Sequence, residues 1–76
     1  MKKRITLVYQ GVFVFVTVQI LKHIYMDDWR CISERTYIEY PDRVTEHLQD
    51  FDERGQLEIY RMLMIEKSIT IEFEID

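Results

Sequence analysis

Residues 3–9, KRITLVY, alternate apolar and polar, with Ile5, Leu7 and Tyr9 on one side and Arg4, Thr6 and Val8 on the other. A period of two is the signature of a half-buried strand. Residues 11–20, GVFVFVTVQI, repeat the period with stronger strand formers. Between the runs lies Gln10-Gly11, where a two-residue hairpin loop can use the freedom of glycine at positive φ. A loop at that position pairs Tyr9 with Val12, Leu7 with Val14 and Ile5 with Val16. These residues then share one face with Val18 and Ile20. A one-residue slip would move the valines to the opposite face, so the pattern constrains the register. Phe13 and Phe15 are left with Val8 on the other face, beside Arg4, Thr6, Thr17 and Gln19.

The same apolar run excludes two other readings. Its uninterrupted part, Val12–Val16, is far shorter than the roughly 20 residues of a spanning helix. The start MKKR imitates a secretory signal, but Gln10, Gln19 and Lys22 interrupt the run. The chain has no alanine and offers no small-x-small cleavage site. Neither a membrane segment nor a signal peptide is expected, and the expected compartment is the cytoplasm (the host's, if the protein is viral).

Beyond the hairpin, the second strand can run on through Leu21–Tyr25, with Asp27-Asp28 turning the chain into a third strand over Trp29–Tyr40; a short helix around residues 20–27 competes. Tyr40-Pro41-Asp42 ends that strand, because proline restricts its predecessor to extended geometry and suits the first turn of a helix. Val44, Leu48 and Phe51 follow at helical spacing. Gly55 either caps this helix or lies at a close approach within a longer one. Residues 56–67, QLEIYRMLMIEK, favour helix by propensity, although alternation from Leu57 to Ile65 also permits a strand. The end, SITIEFEID, alternates cleanly: Ile69, Ile71, Phe73 and Ile75 inward, Thr70, Glu72, Glu74 and Asp76 outward. The expected fold is a single two-layer α+β domain over residues 1–76. It comprises an N-terminal antiparallel meander of two or three strands, one long or two short helices, and a C-terminal strand returning to the sheet.

Groups able to do chemistry are few. A single cysteine, Cys31, excludes an internal disulfide, and its expected place is buried or half-buried. His23, Asp27 and Cys31 would line up as metal ligands only on a helix; strand and turn scatter them. His47 flanks the Val44/Leu48/Phe51 stripe, where a satisfied boundary histidine is expected. Asp27-Asp28 reads as a turn or cap rather than a carboxylate pair. There is no phosphate loop or nucleophile elbow. No enzyme, metal or cofactor is expected.

Charge divides the chain. Residues 1–35 carry six Lys/Arg and three Asp/Glu, whereas residues 36–76 carry four and eleven. An acidic half disfavours direct nucleic-acid binding, which rests on neutralising phosphates. On one helix, Asp42, Glu46, Asp50 and Glu53 would form an acidic stripe opposite Val44, Leu48 and Phe51. That face would suit a protein partner with a basic surface. If the helix continues past Gly55, Leu57, Tyr60 and Met64 join the stripe's side, while Ile59, Met62 and Leu63 continue the buried side. Val8, Phe13 and Phe15 add an apolar sheet patch of the kind that marks an interface, including one between two copies of the chain.

The expected function is therefore a small protein-binding regulator or inhibitor. It would be of the type that viruses and mobile elements direct at host nucleic-acid-handling or defence proteins, in its sharpest form a nucleic-acid mimic. The alternatives are a nucleic-acid-binding or repressor-like module using Lys2, Lys3 and Arg4, and a structural subunit of a homo-oligomeric assembly.

Overall fold

The computed structural model describes residues 1–75; the outward placement expected of Asp76 lies outside them. Four strands, β1 (Lys2–Gln10), β2 (Phe13–Tyr25), β3 (Asp28–Glu39) and β4 (Ser68–Glu74), form one sheet in the order β3-β2-β1-β4. All neighbours are antiparallel. A 3-10 helix, Pro41–His47, and an α-helix, α1 (Glu53–Glu66), separate β3 from β4. The fold is thus the α+β arrangement expected: an N-terminal meander, helices, and a last strand returning beside β1.

The first hairpin differs from expectation in its loop. Gln10 pairs with Phe13, so Gly11-Val12 forms the two-residue loop, and the pairs are Tyr9 with Val14, Leu7 with Val16 and Ile5 with Val18. Gly11 occupies the first loop position at φ 66°, where only glycine is free of the steric cost of left-handed geometry. Every pairing moves by two residues, which preserves the faces. Val12 is the exception: it leaves the core for the loop and is 64% exposed.

Both helices cover the same sheet face. Its core consists of Ile5, Leu7, Val14, Val16, Val44, Leu48, Ile59 and Leu63, with Ile69, Ile71 and Phe73 of β4 packed against it. Met62, expected on the buried side of the helix, is instead 51% exposed. The reason is local: burying Ile59 and Leu63, four residues apart, aims one stripe at the sheet, and Met62 falls beside it.

The region between the helices also differs from expectation. There is no continuous helix over residues 42–53. The short helix stops at His47, residues 48–52 form a connection, and Asp52 caps α1 by accepting from Gly55 N at 2.8 Å. Gly55 therefore lies in the first turn rather than at a C-terminus or in mid-helix. A Cβ there would sit 3.2 Å from Phe51 Cβ and from Asp52 Oδ1. Val44 and Leu48 are fully buried and Phe51 half-buried, so the apolar stripe reaches the core through a broken helix. The Phe51 ring meets Phe73 edge-on at 5.0 Å.

The β2–β3 hairpin extends past the rest of the sheet. Its strands have 13 and 12 residues against 9 in β1. The radius of gyration is 12.9 Å, where a compact chain of this length has about 11 Å; extents of 40 × 23 × 19 Å reflect this arm. Register shifts leave Ile32 and Ile24 as the extra residues of two bulges, and the turn Met26-Asp27 closes the arm. Residues 20–31 are strand and turn, not helix.

The second sheet face carries no helix. Thr36, Thr17, Thr6 and Thr70 form one row across all four strands, with hydroxyl contacts at 3.2 Å between Thr17 and Thr36 and 3.5 Å between Thr6 and Thr70. The adjacent row is Glu34, Gln19, Arg4 and Glu72. Gln19 donates to Glu34 at 2.5 Å, and Arg4 donates to Gln19 at 3.4 Å and to Glu72 at 2.9 Å.

Candidate functional site

The ten residues expected to meet a partner do not form two surfaces. The acidic four are divided by the break between the helices. Glu46 lies 3.5 Å from Arg43, and Asp50 accepts from Lys3 at 2.6 Å. Asp42 and Glu53 have no ion-pair partner among the described residues. The regular turn-by-turn spacing of carboxylates required by a helical acidic stripe is therefore not formed.

The apolar six also separate. Val8 and Phe15 are half-buried cross-strand partners on the open sheet face, next to Ile38. Phe13, 40% exposed, stacks on Tyr40 with ring centroids 5.3 Å apart. Met64 turns inward and packs against the core. Leu57 and Tyr60 lie on α1 facing the short helix.

Those last two meet Asp42 and Glu53. A groove of about 480 Å³ runs between the helices, with Pro41, Asp42 and Thr45 from the short helix and Glu53, Gln56, Leu57 and Tyr60 from α1. It continues past Tyr40 towards Tyr9, Gly11 and Val12 at the first hairpin loop. Leu57 is 55% exposed, a position that a helix of a closed domain ordinarily fills with a polar residue. Sequence reasoning did not single out Tyr40, Pro41, Thr45 and Gln56. Tyr40-Pro41 had been legible only as a strand terminator, although the same two residues form the groove's end.

The groove's walls are held from below. Val44 and Leu48 anchor the short helix, and Ile59 and Leu63 anchor α1. His47 lies 2.8 Å from Glu39 and stacks on Tyr37 at 4.6 Å, which fixes the end of the short helix against β3. Gln56 donates to the carbonyl of Phe51 at 2.9 Å and ties α1 to the connection.

Other candidate groups are occupied or apart. Lys2 pairs with Glu72 at 3.4 Å and lies over the Trp29 ring at 4.3 Å; Lys3 holds Asp50 and Arg4 holds Glu72. The Arg4 hydrogen bond, with a further one from Lys2, holds the Glu72 carboxyl below its ordinary pKa against an opposing effect of desolvation. Cys31, expected to be at least half-buried, is exposed on β3, the edge strand, where its Sγ contacts the carbonyl of Ser33 at 3.2 Å. His23 hydrogen-bonds the carbonyl of Met26 and stacks on Trp29 at 5.0 Å. Among the described residues, no three His, Cys, Asp or Glu side chains converge as a metal site. No described helix is long and apolar enough to cross a membrane. In comparisons with known proteins, the chain matches no family model, no curated protein and no solved structure.

Proposed function

We propose that this protein is a small non-enzymatic binding protein that docks on a basic region of a larger partner through the groove between its two helices. The observation that carries the reading is the meeting of two unpaired carboxylates, Asp42 and Glu53, with the exposed apolar surface of Leu57 and the half-buried Tyr60. Apolar contact bordered by charge is the anatomy of a small interface, in which the apolar part supplies affinity and the charged border supplies selection. Regulation or inhibition of the partner is the role that suits a domain with little beyond a docking surface. The exposed thiol of Cys31 suits a reducing compartment such as the cytoplasm.

A nucleic-acid-binding role has weaker support, because Lys2, Lys3 and Arg4 are each engaged by an acid of the same chain. The mimic version also weakens, since Glu46 and Asp50 are neutralised by Arg43 and Lys3. The test is co-purification of the tagged protein from its native host, compared with the double variant Asp42→Lys, Glu53→Lys. Both side chains are exposed, so the variant should fold. A basic protein recovered stoichiometrically with the parent and lost with the variant is expected. Equal recovery of the same partner by both would refute the groove as the docking site.

A further inference from the structure

The geometry points to the groove's occupant: an extended, proline-containing segment of a partner protein that carries arginine or lysine beside its prolines. This rests on the docking reading above and adds the chemistry of what is bound. Among the described residues, Asp42 and Glu53 flank the groove without a cation partner, whereas Arg43, the basic residue near its far end, lies against Glu46. The electrostatic complement of such a rim is a cation. A second copy of this chain does not supply it. Its own projecting apolar segment, Ile24–Met26, is followed by Asp27 and Asp28, and its basic run Lys2–Arg4 is strand-paired and neutralised.

The aromatic residues select the backbone form of the occupant. Pro41 and Tyr60 line both the groove and its continuation, Tyr40 lines the continuation, and Tyr40 is 56% exposed. The hydroxyls of Tyr40 and Tyr60 have no protein partner among the described residues, and no buried side-chain polar atom is left unsatisfied. They are donors open to solvent. A polyproline II segment makes no internal backbone hydrogen bonds, so its carbonyls remain free to accept from such donors while its rings pack on aromatic faces. A helical ligand keeps its carbonyls to itself and would leave both hydroxyls unused.

The test is a titration of the isotopically labelled protein with three synthetic peptides, followed by amide shifts. The first contains prolines and leucine flanked by arginines, the second replaces each arginine by glutamate, and the third is a proline-free amphipathic helix of leucine and arginine. Saturable shifts confined to Tyr40, Asp42, Thr45, Gln56, Leu57 and Tyr60 are expected with the first peptide, with none from the second. Leu57→Lys and Asp42→Lys, both at exposed positions, should each weaken binding about fivefold to tenfold, the loss that separates the contributing residues of an interface from its near-neutral ones. Equal or tighter binding of the helical peptide in the groove would overturn the extended occupant while leaving the docking reading intact. If no peptide shifts the groove, the occupant proposed here is wrong; the docking reading then stands or falls separately on the Asp42→Lys, Glu53→Lys co-purification.

Discussion

Leu63 and Met62 are adjacent on α1 and similar in volume, yet Leu63 is fully buried and Met62 is 51% exposed. Truncating each to alanine tests the facing of the helix that builds one wall of the groove. Leu63→Ala removes three carbons from the centre of the core, worth about 2.4 kcal/mol at about 0.8 kcal/mol per buried methylene. The cavity left behind raises the cost to about 3–5 kcal/mol. At roughly 0.05–0.15 kcal/mol per residue, a chain of 76 residues holds about 4–11 kcal/mol in total. The substitution therefore removes roughly a quarter or more of the stability. Met62→Ala loses part of a half-exposed side chain and gains slightly in helix propensity, so it should cost less than about 0.7 kcal/mol. Urea titration followed by far-UV circular dichroism gives both midpoints with the slope as a control. On melting, each kcal/mol corresponds to about 4–8 °C for a domain of this size, so the two variants should differ by on the order of 10–40 °C. Comparable losses from the two substitutions would refute the packing. A loss at Met62 that grows with protein concentration would show the outer face of α1 buried against a second chain.

Asp52→Ala removes the acceptor of the 2.8 Å bond from Gly55 N and should cost about 1 kcal/mol; an unchanged urea midpoint would dismiss the cap. Met26 closes the β2–β3 arm at φ 50° and Gly11 closes the first hairpin at φ 66° with open space around it. Met26→Gly should therefore stabilise and Gly11→Ala destabilise, each by about 1 kcal/mol, and melting shifts of the same sign would contradict the backbone argument. For Glu72, the lowered folded pKa means its stabilising contribution is present above the unfolded value and is lost as pH falls through the folded one. Urea midpoints taken from neutral pH down to about pH 3, below the ordinary carboxylate range, should show a shallower acid limb for Glu72→Gln. An unaltered limb would remove the Arg4–Glu72 contact from the account.

The facing of the first hairpin was legible because a strand with one buried face tolerates no single-residue slip. Its loop was not. Placing the turn at Gln10-Gly11 or at Gly11-Val12 changes every partner by two residues and leaves every side chain but Val12 on the same side. The hydrophobic pattern is blind to that choice, and the glycine decides it by taking the first loop position at positive φ. The strand β3 was harder to read for a different reason. Only Trp29, Tyr37 and Glu39 of its twelve residues are less than fully exposed, and the bulge at Ile32 reverses the alternation partway. An edge strand with so little burial leaves almost no periodic trace. Its bulge and its charges, Arg30, Glu34 and Arg35, also discourage pairing with another chain.

The acidic stripe failed as geometry for a reason that bears on the groove itself. Helical spacing from Val44 to Phe51 is satisfied by one continuous helix or by two helices meeting at an angle, and the apolar residues reach the core in both. The difference lies in Asp50, Phe51 and Asp52. Asp50 is drawn to Lys3, Phe51 packs on Phe73, and Asp52 turns its carboxylate to the start of α1. Each contact joins the connection to a residue distant in sequence or to the next helix, which local propensity does not register. A continuous helix would have displayed all four carboxylates in water on one convex face. Broken, the chain brings Asp42 on the short helix and Glu53 on α1 to the two walls of one concavity, with Leu57 and Tyr60 on the α1 wall beside Glu53. The same break that removes the regular array of charge thus sets two of those charges beside exposed apolar surface in one concavity, and it is on that juxtaposition that the docking proposal rests.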